Sequence, residues 1–300
     1  MVWANASATD FASPADNLSQ VLLAKSTDGG DTFSAPVKVA DYYELPDCVT
    51  YQGMSAAVAC VPEKGATSRS FFRAANYPSA AVDPKNPRQI VVTFGSYVNG
   101  HSNARDGCVP RGFNQDTLLP LYDGVKAPGA CNNDILASVS RDAGATFTGG
   151  AADVRTLPSV RPGDPQSDQF WQWAAFDPSG RLAVSYYDRA YGDDETTGFS
   201  DVSLSGSRDA RSFAVTRVTT GSMPPPTQLG GGFFGDYTAL TADRRAHPVW
   251  MDTRDAALFV CRDADGILTL PPAVCTQSAD NADVANDQNI YTRSLAIPLP

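Results

Sequence analysis

The sequence predicts an all-β protein of four-stranded antiparallel sheets in series, a β-propeller. Three observations predict it. A phrase Ser-x-Asp-x-Gly-x-Thr-Phe occurs twice and decays into a third copy; a longer strand–turn–strand phrase recurs three times; and no stretch carries the apolar spacing of an amphipathic helix.

The longer phrase is PSAAVDPKNPRQIVVTFGSY (78–97), matched by WAAFDPSGRLAVSYYDR (173–189) and more loosely by YTALTADRRAHPVWMDTR (237–254). Each reads as a small or apolar strand A, a tight turn at Asp-Pro or Asp-Arg, and an alternating strand B. DILASVSRDAGATF (134–147), DVSLSGSRDARSF (201–213) and QNIYTRSLAI (288–297) then supply strand C. In the first two a Ser-Asp turn leads to a strand D, such as FAVTRVTT (213–220). Units of this kind pack radially in rings of ~4–8 blades.

The chain divides as a single domain, 1–300, into a partial blade 1 (1–40), blade 2 (76–157), blade 3 (171–220) and blade 4 (233–297). Residues 1–40 supply only strands B (MVWAN), C (VLLAKS) and D (PVKVA), and blade 4 supplies A, B and C. About four blades are therefore visible, either as a ring with strands exchanged at the seam or as part of a larger, six-bladed ring. The opening MVWANASATD carries no secretory leader and no first strand A, and both features point to lost N-terminal sequence.

The bulk composition excludes some partners. With 300 residues, 42% hydrophobic and 10% aromatic, the chain can bury a sizeable core. Its net charge is −10 and no block of Lys or Arg is present, so nucleic acid and anionic membrane are poor partners. No apolar run approaches the ~18–20 residues that span a bilayer. Oligomeric state is not written in the sequence.

Six cysteines fall as Cys48/Cys60, Cys108/Cys131 and Cys261/Cys275, each pair closing a short polar loop with no CxxC motif. Three local disulfides, hence a secreted or extracellular protein, are the expectation, with buried free thiols the alternative.

In the first repeat Ser26, Asp28, Gly30 and Phe33 hold the motif positions; in the second, Ser140, Asp142, Gly144 and Phe147; in the third, Ser207, Asp209 and Phe213. Ser and Asp side chains can hydrogen-bond nearby backbone N–H groups, the glycines permit positive φ, and the phenylalanines return as buried anchors. The third copy has lost its glycine and one residue of spacing, decay that a turn tolerates better than a catalytic device would. These aspartates are expected to hold turns.

SxDxGxTF resembles the Asp-box, or BNR repeat, of the sialidase superfamily, and the two good copies, the third copy and the A–B phrases cover most of the chain. The resemblance implies a glycoside hydrolase with a Tyr nucleophile activated by Glu, an Asp acid/base and three arginines on the substrate carboxylate. The family's Phe/Tyr-Arg-Ile-Pro motif has only FFRAAN (71–76) as its counterpart, with Arg73 in the arginine place.

In a blade, A–B and C–D turns share one face, while B–C loops and D-to-A crossovers share the other. All three cysteine loops then decorate the face opposite the boxes, together with the starts of strands A and the ends of strands B. These read Phe170-Trp171-Gln172-Trp173, Phe233-Phe234-Gly235-Asp236-Tyr237, Tyr187-Asp188-Arg189 and Asp252-Thr253-Arg254. The expected roles are Asp236 as acid/base, Tyr237 as nucleophile, Arg189 and Arg254 as anion ligands, and Asp188, Asp252, Trp171 and Trp173 as further substrate contacts. Of the three glutamates, Glu44, Glu63 and Glu195, the last is the expected partner for Tyr237. Interblade ion pairs are the structural alternative for the Asp-x-Arg segments, and the start of an inner strand is the alternative for Gly235-Asp236-Tyr237.

No cofactor is required by this chemistry. The acidic stretches 192–201 and 280–289 could take Ca²⁺ but lack EF-hand spacing, and His101 and His247 are too isolated for zinc. The expected partner is an extracellular glycan or glycoconjugate, bound and hydrolysed; the alternative is a non-catalytic propeller of a cell-surface or secreted protein that binds glycan or protein through the same face.

Overall fold

Val, Ile, Tyr and Phe at alternate positions, broken by Asp-Pro and Ser-Asp turns, give short extended segments rather than helices. The computed structural model describes residues 1–6, 17–52, 58–62, 64, 71–163, 166–226, 232–233, 235–255, 258–262, 268–274, 282–285 and 288–300. Strands β1 (Val2–Ala6), β2 (Leu18–Leu23) and β3 (Val37–Tyr43) form a first antiparallel meander. Helix α1 (Cys48–Gln52) and the short pair β4 (Cys60–Val61) and β5 (Phe72–Arg73) follow.

The second sheet uses β6 (Ser79–Val82), β7 (Ile90–Ser96) and, after the inserted hairpin β8 (Val109–Phe113) and β9 (Pro120–Asp123), β10 (Asp134–Ser140). The third is a four-stranded meander of β11 (Gln169–Phe176), β12 (Leu182–Asp188), β13 (Asp201–Ser207) and β14 (Ala214–Arg217), with helix α2 (Asp194–Thr197) between β12 and β13. The fourth pairs β15 (Ala239–Ala242), β16 (Ala246–Asp252) and, after a separate sheet of β17 (Leu258–Arg262), β18 (Leu268–Val274) and β19 (Ala282–Ala285), β20 (Asn289–Thr292).

The A–B phrases thus fall on β6–β7, β11–β12 and β15–β16, and the C phrases on β10, β13 and β20. Two expectations are corrected. The cysteine-bearing connections, read as loops, contain β8–β9 and β17–β19. And of the two sheets expected to be four-stranded, only the third is. Beside β10 the chain makes bridging contacts through Pro158 and Val160 instead of a regular fourth strand, because proline lacks the N–H a ladder needs.

Consecutive sheets pack on one another: β3 meets β7, β11 meets β6 and β7, and β15 meets β11 and β12. Strands buried on both faces send alternate side chains into two cores. From β7, β10 and β12, Val91, Ile135, Ala137, Val139, Leu182, Val184 and Tyr186 join one cluster between the second and third sheets. The intervening Val92, Phe94, Leu136, Ala183 and Tyr187 join the larger cluster on the other side. Both cores require the strand register, since a one-residue slip would exchange them.

The Ser-x-Asp segments make turns, as expected. In the second, Gly144 N–H donates to Ser140 Oγ at 2.8 Å while Thr146 N–H donates to Asp142 Oδ1 at 2.9 Å. The first repeats this with Gly30 to Ser26 at 2.8 Å and Thr32 to Asp28 at 3.0 Å. Hydrogen bonds from Thr32 and Thr146, side chain and backbone, hold the Asp28 and Asp142 carboxyls far below the ordinary range. The third turn omits the second positive-φ residue: Ala210 (φ 55°) takes the place of Ala143 (φ 62°), and nothing replaces Gly144 (φ 84°).

Basic side chains tie one Ser-x-Asp turn to the next, and one A–B turn to the next, across sheets. Lys25 Nζ donates to Ala143 O at 2.9 Å, Arg141 Nη2 to Asp209 O at 3.3 Å and Arg181 Nη2 to Arg244 O at 3.1 Å. One anchor departs from expectation. Phe147 and Phe213 are buried, but Phe33 is 48% exposed because no sheet covers it among the described residues.

Denaturant titration checks these roles. Ser140→Ala is expected to cost about 1–2 kcal/mol by stranding the Gly144 N–H, and Phe147→Ala about 3–4 kcal/mol. Phe33→Ala, already exposed, should cost under about 1 kcal/mol.

Candidate functional site

Away from the box turns, the first two cysteine loops come together. Disulfides join Cys48 to Cys60 and Cys108 to Cys131. Cys275, like Phe234 and Glu63, lies outside the described residues, so the Cys261/Cys275 pairing does too. Asp47 receives the Asn114 and Thr117 side chains at 2.6 and 3.1 Å, and Tyr51 OH donates to Tyr122 O at 2.7 Å. The α1 segment is thereby clamped to the β8–β9 hairpin. Two disulfides fit a protein outside the reducing cytoplasm, and no described helix is long and apolar enough to cross a membrane.

Beneath these loops an aromatic stack crosses β5, β11 and β12. Phe72 lies 4.8 Å from Phe170, and Phe170 lies 5.4 Å from Tyr187 with nearly parallel rings. Trp171 meets Phe72 edge-on at 5.1 Å and Phe233 at 6.3 Å. It sits at a bulge in β11 with φ 52°, a conformation an L-residue holds only when its surroundings impose it.

Through Trp171 this group borders a cavity of about 460 Å³ lined also by Glu44, Arg73, Tyr77, Leu119, Asp236 and Tyr237. Three predicted residues, Trp171, Asp236 and Tyr237, meet there, with Arg73 of the FFRAAN segment. Tyr237 is 83% exposed, so its hydroxyl is open to a ligand. The Arg73 guanidinium lies 4.9 Å from the Phe233 ring centre, with no carboxylate bonded to it among the described residues.

Glu44 was not singled out by the sequence, although its signal was there: one of three glutamates, directly after the buried pair Tyr42-Tyr43. Its Oε1 accepts from Leu45 N–H at 2.8 Å and Asn76 N–H at 2.7 Å. Burial raises the carboxyl from 4.5 to about 7, outweighing these bonds. A half-buried carboxyl titrating there can give or take a proton near neutrality.

The other predicted residues go elsewhere. Glu195 sits in a buried ionic cluster: Lys64 Nζ lies 2.5 Å from Asp168 and 2.5 Å from Glu195. Asp168 Oδ1 accepts Asn133 N–H at 2.7 Å, and Asp168 N–H donates to Glu195 Oε2 at 2.9 Å. Burial opposes the Lys64 charge, but the two carboxylates outweigh it and hold its pKa above the ordinary value. Burial and then Asp168 push Glu195 upward. Arg189 is buried beside this cluster, 5.7 Å from the Phe170 ring centre.

Asp188 pairs with Arg161 at 2.9 Å, and Asp252 with Arg254 at 2.7 Å. Those side chains serve ion pairs within the fold. Trp173 points into a different groove, beside β1 and β6. Of the acidic stretch 192–201, Asp201 is occupied by Arg217, Ser222 and Thr219. Among the described residues no three His, Cys, Asp or Glu side chains are grouped to hold a metal.

Set against models of known protein families and against curated proteins, the chain matches none.

Two measurements test this geometry. Lys64→Met strands two buried carboxylates and should cost about 3–5 kcal/mol. Glu44, with a folded pKa above its unfolded one, stabilises the fold below pH 4.5, and this contribution is lost as pH rises toward about 7. Urea unfolding of Glu44→Gln, which keeps the Oε1 acceptor, should show a shallower fall in stability across that window than the parent.

Proposed function

We propose that the chain is a sialidase-like glycoside hydrolase acting outside the cytoplasm on terminal or acidic sugars of extracellular glycans, its four meander sheets being blades of a β-propeller. The observation that carries this reading is the single cavity that collects Glu44, Arg73, Trp171, Asp236 and Tyr237. Serial sheets that pack in chain order support the propeller. Tyr77 offers an apolar face for a sugar ring and Arg73 a fork for its carboxylate, while Trp171, 4% exposed, fills the wall. Tyr237 attacks the anomeric carbon as Asp236 protonates the departing glycosidic oxygen, and Glu44 takes the phenol proton. Water, deprotonated by Asp236, then attacks the anomeric carbon and displaces Tyr237, whose oxygen takes its proton back from Glu44. Arg189 and Arg254 take no part.

The exposure of Tyr237 favours a second reading, a propeller that binds glycans without cleaving them, since no described carboxylate is hydrogen-bonded to that hydroxyl.

Hydrolysis of fluorogenic aryl glycosides, sialosides included, separates the two. An enzyme should lose at least about 10²-fold in kcat on Tyr237→Phe or Asp236→Asn while retaining most of its glycan affinity. Glu44→Gln should flatten the limb of the pH–rate profile near 7. Absence of turnover by the folded, oxidised protein across the panel, with glycan binding retained, would leave the binding reading.

A further inference from the structure

In the buried ionic cluster, Lys64 Nζ donates to three acceptors: Asn132 Oδ1 at 2.7 Å, Asp168 Oδ2 at 2.5 Å and Glu195 Oε1 at 2.5 Å. The Lys64 side chain is 1% exposed and that of Asp168 is fully buried. A buried charge calls for a counter-charge, which accounts for the carboxylates but not for a carboxamide in the third place. Asn132, itself buried, is held on every side. Its N–H donates to Ser102 Oγ at 2.8 Å, its carbonyl accepts from Asn99 Nδ2 at 2.9 Å, and its Nδ2 donates to Gly129 O at 3.2 Å. The Cys108–Cys131 disulfide fixes the residue before it. An amine, an amide carbonyl and two carboxylates are thus locked in contact.

We propose that Lys64 and Asn132 join spontaneously, through an isopeptide bond between Nζ and Cγ that releases ammonia. Glu195 Oε1 takes one proton from Nζ, and the freed lone pair adds to Asn132 Cγ as the carbonyl electron pair moves onto Oδ1. Asp168 Oδ2 takes a second proton from Nζ and passes it to Nδ2. The pair on Oδ1 then re-forms the carbonyl, the Cγ–Nδ2 bond breaks and ammonia leaves. One hydrogen stays on the new amide nitrogen and one proton stays on Glu195. Nothing is oxidised or reduced, and no reactant besides the chain is consumed.

The surroundings favour this step. In the resting cluster the two carboxylates hold the Lys64 proton in place. Burial and then Asp168 raise the proton affinity of Glu195, to about 8, so the carboxyl bonded to Nζ is able to take that proton. Lys64 and Glu195 become neutral together while Arg189 still faces Asp168, so one buried ion pair disappears and the net charge of the cluster is unchanged. Fixed contact replaces a bimolecular encounter. Asn132 is the acyl donor rather than Asp168, because a neutral amide carbonyl accepts a nucleophile more readily than an anionic carboxylate does. The bond ties the chain after β4 to the entry of β10 and closes a long loop, which constrains the unfolded chain as a disulfide does. None of these residues serves in the Glu44–Tyr237 cavity, so this assignment stands apart from the proposed activity.

The test is intact mass spectrometry of the full chain, aged as the folded protein at neutral pH and then reduced and denatured. The parent is expected to be one ammonia lighter than its sequence requires. Trypsin, which cuts after lysine, should spare Lys64 and yield a branched peptide that joins it to Asn132. Lys64→Arg keeps a cation for both carboxylates but supplies no nucleophile, and should show the full mass of its sequence. Glu195→Gln should slow the loss of ammonia at least about 10²-fold. Should either variant misfold, the parent's branched peptide decides alone. A parent of full mass after ageing would overturn the assignment. So would loss of ammonia with no branch at Lys64, the mark of an asparagine cyclised on its own backbone, or loss of water with Lys64 joined to Asp168 or Glu195.

Discussion

The interaction on which most of the rest depends is the carboxylate of Asp168. It is fully buried, and it accepts both the Asn133 backbone N–H at the entry to β10 and the Lys64 ammonium. Its own backbone binds Glu195 on one side and the Arg189 N–H on the other. This residue therefore ties the second sheet and the crossover from the first through its side chain, and the end of β12 and the α2 connection of the third sheet through its backbone. A charge buried in this way is tolerable only when every partner is in place, and so it demands that the sheets meet in one arrangement. The cluster sets Lys64 and Arg189 against Asp168 and Glu195, so these groups answer one another within the fold.

The two ends of the sheets have been put to different uses. At the box end, short turns satisfy their own backbones through Ser and Asp, and Lys25, Arg141 and Arg181 fasten them to their neighbours. Little chain is left over there. At the other end the connections are long, carry both described disulfides and enclose the cavity. A rigid scaffold with elaborated loops at one end is the usual arrangement for recognition, and the cavity's chemistry is supplied almost entirely by strand ends and crossovers.

Within that cavity the polar groups are few and unlike one another. Glu44 is held by two backbone N–H groups at the end of β3, yet burial keeps its proton affinity high. Tyr237 and Asp236 lie at the entrance, open to solvent, and Arg73 leans on Phe233. These groups come from segments far apart in the chain, and the aromatic stack of Phe72, Phe170, Trp171 and Tyr187 keeps those segments together.

Much of this architecture is local and so was legible without coordinates. Period-two alternation and Asp-Pro or Ser-Asp turns determine strands and their order, because each depends on neighbours within a few residues; the A–B and C phrases fell where they were read. The box aspartates as turn holders, and the local Cys48/Cys60 and Cys108/Cys131 pairs, follow for the same reason. What the sequence could not determine is which long-range neighbours a side chain meets. Phe33 has the motif of Phe147 but not its covering sheet. Glu195 and Glu44 are both glutamates at loop ends, yet tertiary packing puts one against Lys64 and Asp168 and the other beside Arg73 and Tyr237. Asp188 and Asp252 became ion-pair partners because Arg161 and Arg254 reach them, the first of these across a sheet boundary. Burial, and with it charge and proton affinity, is a property of the assembled sheets, so only the tertiary structure decided those roles.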